Sequence, residues 1–133
     1  MQSRERDNPR KQIAKMRKLF PQFRGRVIAN SGVVWTGTLR PLDTSTTYQV
    51  RVHHTAGEAP KVFVDAPALQ KGAPHRYSDG SLCLSWHKDW SWSPQAVMAE
   101  TLVPWAAMWL FFYELWIVTG EWLGPEAPHA KKR

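Results

Sequence analysis

One cysteine, Cys83, sits within Tyr77–Pro94, the stretch YSDGSLCLSWHKDWSWSP. Leu82 and Leu84 flank it, and Ser78-Asp79-Gly80 is a turn signal just before it. Trp86, Trp90 and Trp92 follow in a tryptophan-rich loop that ends in Ser93-Pro94. A lone thiol on a short strand between two turns is expected to be exposed and held still, as a nucleophile must be. The simpler alternative is a small buried hydrophobe. With a free-thiol pKa near about 8.5, a few per cent of such a group is thiolate at neutral pH. That suffices for a nucleophile when binding supplies the orientation. No Cys-His-Asn constellation is identifiable, which weakens a cysteine-peptidase reading.

The elements that must position this thiol can be read along the chain. Residues 8–20 form an amphipathic helix: Asn8 suits the N-cap, Pro9 the first helical position, and Ile13, Met16, Leu19 and Phe20 recur at helical spacing. Pro21 stops it. Four strand signals follow, at 26–30, 33–40, 46–54 and 61–65, with Asn30-Ser31-Gly32 and Ala56-Gly57-Glu58 as turns. In the third, Tyr48, Val50 and Val52 share one face and Gln49, Arg51 and His53 the other. Links this short predict an antiparallel meander. Adjacent strand residues face opposite ways, so His53 and His54 cannot chelate one ion together, and no metal site is expected. Residues 66–76 are an irregular connection. Ser93-Pro94 is expected to open a long apolar helix running to about Thr119. Its uncharged run, Leu102–Tyr113, lies between Glu100 and Glu114. These charges and Pro104 argue for a core helix under the sheet rather than a membrane span. Pro104 is expected to kink or split it. The outcome is one α+β domain over residues 1–133, with 1–7 and 125–133 flexible.

Composition sets the class. The 133 residues are 43% hydrophobic with eight Trp, enough for a single core. One cysteine excludes an internal disulfide and fits a reducing cytoplasm. The polar, basic start is no secretory signal. Residues 1–26 hold nine Lys or Arg against Glu5 and Asp7, while the rest balances to zero, so the net charge of +7 is assigned to the N-terminal helix. Such a face suits an acidic protein, a nucleic acid or water. Without interleaved aromatics, nucleic acid is the weaker choice.

The pattern Tyr77-x-x-Gly80-x-Leu82-Cys83-Leu84, then Trp92-Ser93-Pro94 opening a helix, resembles the active-site stretch of ubiquitin-conjugating enzymes. Pro60-Lys61-Val62 entering the last strand and the order of elements agree over residues 8–119. The family's His-Pro-Asn tripeptide is not present; His75 stands where its Asn stands, eight residues before the cysteine. The gap from Cys83 to Trp-Ser-Pro is one residue longer than in the common eukaryotic form, and the family's further C-terminal helices are not expected in residues 120–133. This compact, Trp-rich form looks like the bacterial conjugating-enzyme-like proteins of anti-phage operons, notably the cyclic-oligonucleotide systems called CBASS. The resemblance implies a cysteine thioester at Cys83 with a carrier polypeptide and transfer to an amine. It implies partners among ubiquitin-like proteins, cGAS-like nucleotidyltransferases and activating enzymes, with no cofactor. His75 would then donate to the oxyanion or help deprotonate the amine. His87, Asp89, Glu121 and His129 read as ordinary polar loop residues. The tryptophans read as a wall over the core helix. The rival functions are a non-catalytic binding module of the same fold and a small nucleic-acid binder.

Overall fold

The computed structural model describes residues 9–28, 32–55, 58–84 and 97–125. Helix α1 is Pro9–Leu19, followed by strands β1 (Arg24–Ile28), β2 (Gly32–Leu39), β3 (Tyr48–His54) and β4 (Lys61–Ala66), then helix α2 (Leu102–Thr119). The strands form one antiparallel sheet in the order β1-β2-β3-β4, as the short links predict. Trp35 opposes Val52, which opposes Val62, so a row of apolar side chains crosses three strands on one face. All three are buried. The alternation read in β3 holds, with Tyr48, Val50 and Val52 inside and His54 joining them. His53 and His54 therefore lie on opposite sides of the strand.

Met16 and Gln12 are the buried residues of α1, and Leu19, assigned to its apolar face by spacing, is exposed. Phe23 follows the turn after α1 and lies over Gly37 of β2. A Cβ on Gly37 would meet the Phe23 ring at 2.6 Å, so only glycine allows this approach. Arg24 and Arg26 belong to β1, not to the helix, so the basic charge is shared between two elements.

Helix α2 packs Leu102, Val103, Ala106, Trp109, Leu110 and Tyr113 into the core formed with the sheet. Residues 85–96, including Ser93-Pro94 and the three loop tryptophans, lie outside the described residues. Within them, a turn at 98–101 leads into α2 at Leu102. Pro104 does not split the helix. It is the third helical residue, in the first turn, where an amide would have no intrahelical acceptor to lose. Gly120, at φ 82°, ends the helix in the left-handed region and donates its N–H to the Trp116 carbonyl at 2.8 Å. By length and composition α2 is apolar enough to cross a membrane, and about a third of it is buried in the fold. Glu114 is turned to the sheet side, accepting hydrogen bonds from Tyr48 Oη and Ser45 Oγ, both at 2.7 Å. Burial, then Glu114, push the Tyr48 phenol above its ordinary pKa. The expected core helix under the sheet is found with one face in the core, while Pro104, Met108, Ile117 and Val118 are exposed.

Candidate functional site

The chain from His75 to Leu84 is held by backbone bonds at both ends. Tyr77 N–H donates to the Ser81 carbonyl and Gly80 N–H to the Tyr77 carbonyl, each at 2.9 Å, closing the turn read from Ser78-Asp79-Gly80. Gly80 has φ 92°, a value that glycine takes without steric cost. Asp79 fixes the turn from within. Its Oδ1 accepts from Ser81 Oγ at 2.6 Å and Ser81 N–H at 2.9 Å, and its Oδ2 accepts from Lys61 Nζ at 2.9 Å. The Ser81 hydroxyl and amide, then Lys61, hold this carboxyl well below the usual carboxylate range. The hydrogen bond to Asp79 in turn raises the Lys61 pKa. Leu82 N–H donates to Val62 of β4 at 2.8 Å, tying the turn to the sheet.

Cys83 N–H donates to the His75 carbonyl at 2.9 Å, so the structure brings the two predicted site residues together. The contact is made by the His75 backbone. That carbonyl also accepts from Trp109 Nε1 of α2 at 3.2 Å. His75 has φ 61°, an uncommon conformation for a residue with a side chain. Its ring lies against the Trp122 indole, centroids 5.0 Å apart. Trp122 also meets Trp109 at 5.5 Å and Phe112 at 6.1 Å. Neither indole is visible as part of the site in sequence. Trp109 reads as one more apolar residue of a core helix, although a buried indole N–H needs an acceptor. Trp122 falls in the Gly/Pro-rich tail.

Two expectations about Cys83 are corrected. It is on no strand; the local pairing is an isolated bridge between Arg76 and Leu82. It is also not at the surface: the residue is 1% exposed and belongs to the core cluster. The physical reason is the packing of its neighbours. Val62, Leu82, Leu84 and Trp109 form the same core, and the backbone bonds to His75 and Val62 hold the segment against it. Leu82 and Leu84 line a cavity of about 430 Å³ together with Pro60, Val62, Tyr77 and Leu102. Cys83 does not line it. Glu121 is exposed beyond the end of α2. His87, Asp89, His129, Trp86, Trp90 and Trp92 lie outside the described residues.

A helix before a four-stranded antiparallel meander, a bonded turn carrying the sole cysteine and a following core helix define the ubiquitin-conjugating-like α+β fold. The family model of the type II CBASS E2 protein matches residues 12–130, and the chain belongs to that family. It is thus a CBASS-associated, E2-like protein of an anti-phage context. No curated protein matches the chain.

Proposed function

We propose that this protein is a conjugating enzyme whose Cys83 carries an acyl group as a thioester. The Cys83 thiolate attacks the C-terminal carbonyl of a carrier polypeptide activated as a thioester or adenylate. A carbon–sulfur bond to Sγ forms as the bond to the donor's thiolate or AMP breaks. An amine then attacks this thioester, an amide bond forms, and the Cys83 thiolate leaves. The amine proton passes to His75 or to water. Family membership together with the bonded Cys83–His75 pair supports this reading. The resemblance points to a cGAS-like nucleotidyltransferase of the same operon as the carrier or the acceptor, with a ubiquitin-like protein and an activating enzyme as further partners. A reducing cytoplasm, where the lone thiol stays free, suits the chemistry. Because Cys83 is 1% exposed in the isolated chain, loading requires that partner binding uncover its sulfur.

The test is covalent trapping in native cells. Cys83→Ser is expected to accumulate a stable oxyester, and Cys83→Ala to lose the adduct. A reductant-sensitive adduct that persists in Cys83→Ala refutes the proposal. His75→Ala is expected to keep loading and slow discharge about 100-fold or more, the usual scale of a lost proton-transfer group. Normal discharge removes its ring from the mechanism.

The burial of Cys83 favours a second reading, a non-catalytic module of the same fold that presents a partner. Here no adduct forms on any variant, yet the operon's nucleotidyltransferase co-purifies equally with wild type and Cys83→Ala. Nucleic-acid binding is the third alternative. It predicts measurable affinity at low salt, where the phosphate contribution is strongest.

A further inference from the structure

The core-facing side of α2 is occupied by the sheet, and its opposite side carries Pro104, Met108, Phe111, Leu115 and Val118. Their separations are four, three, four and three residues, the spacing of a seam that packs against a second helix. All five are apolar. Met108 is 42% exposed and Val118 is 82% exposed, with Pro104 exposed and Phe111 and Leu115 half-buried. Glu114, the charge within the helix, is engaged by Tyr48 and Ser45 and so stands off this seam. A heptad stripe of this kind on a helix already anchored on its other side is self-complementary. An isologous two-fold contact would set it against its own copy.

Charge selects the direction. Lys15 of α1 lies beside the N-terminal end of α2, with its Nζ 3.4 Å from Glu100, and Lys11 and Lys18 are exposed on the same short helix. Glu121 is exposed just past the C-terminal end, where the helix dipole is also negative. Antiparallel pairing brings the acidic end of each helix to the basic end of the other. Parallel pairing sets like ends together. We infer that two copies of this chain associate through the outward faces of α2, packed antiparallel around Phe111.

One helix pair over these turns buries less than the roughly 1,600 Å² of a standard interface, so the dimer is weak and forms reversibly. Sedimentation equilibrium of the full chain, from about 1 to about 500 µM, should show a monomer–dimer transition. Met108→Glu/Val118→Glu changes two exposed positions, so its fold survives. It should weaken the dimer at least tenfold, about 1.4 kcal/mol. Val27→Glu, on the exposed side of β1, should leave the dimer intact. In a Cys83→Ala background, Phe111→Cys should join to its own copy with a short bismaleimide, while Val118→Cys should not. A chain that stays monomeric throughout this range overturns the inference. So does a dimer that the double variant leaves unchanged, or one linked at residue 118 rather than 111. A monomer that pellets with phosphatidylcholine vesicles through α2 also overturns it.

Discussion

Asp79 accepts three hydrogen bonds in a turn of four residues and thereby sets where Cys83 begins. Its pKa is depressed in the folded chain, first by the Ser81 hydroxyl and amide and then by Lys61. A depressed carboxyl stabilises the fold at pH above the ordinary carboxylate range, and that contribution is lost as pH falls toward the folded value. Asp79→Asn should therefore melt below wild type near pH 6, with the gap narrowing toward pH 2. A gap that stays constant with pH would show that the turn does not depend on the ionised carboxylate. Cys83 itself obeys the rule for lone cysteines more closely than the rule for exposed nucleophiles. It is buried in the core cluster that also holds Val62, Leu82, Leu84 and Trp109. Under the proposed conjugating function, a partner must uncover it. A thiol-reactive probe should be slow on the free chain and accelerate when the partner is added.

At the scale of elements, α2 does two jobs through two faces. Trp109 is fully buried and its indole N–H reaches the His75 carbonyl, so the helix that fills the core also holds the loop before the cysteine. Pro104 is tolerated because of where α2 begins. Within a helix interior, proline costs about 3 kcal/mol relative to alanine, whereas in the first turn no intrahelical bond is lost. Pro104→Ala should shift unfolding in urea by less than about 1 kcal/mol. A gain near about 3 kcal/mol would mean that the helix extends well before Leu102 and is strained at this proline. The meander makes the complementary point. Alternation rules out odd slips of its register, because a slip by one residue would turn Tyr48, Val50 and Val52 to solvent.

In the whole molecule, the N-terminal helix is joined to the segment before α2 across most of the chain. Gln12 is buried, and its Oε1 accepts from the Met98 N–H at 3.0 Å, 86 residues away. Lys15 and Glu100 add an exposed ion pair beside it, worth little by itself. Gln12→Ala leaves the Met98 amide without this acceptor and should cost about 1–3 kcal/mol in urea unfolding. Lys15→Ala should cost less than about 1 kcal/mol. Equal losses for the two would mean that the buried amide does not join the termini.

Strand positions, their order and their inward faces were legible in the amino-acid sequence, because a period of two and short links admit few alternatives. The partnership of His75 with Cys83 was legible only as a resemblance, through its spacing from the cysteine. Local patterning determined the elements: α1, the four strands and the apolar helix each follow from neighbours within a few residues. It did not determine which side of an apolar segment faces the core. Leu19 matches the apolar period of α1 and is exposed, while Cys83 stands between turn signals and is buried. Burial is a property of what arrives from elsewhere in the chain, here Val62, Trp109 and Trp122. Only the tertiary fold decided that Trp109 and Trp122 would close around His75, that the thiol would start out covered, and that α2 would keep one face unsheltered.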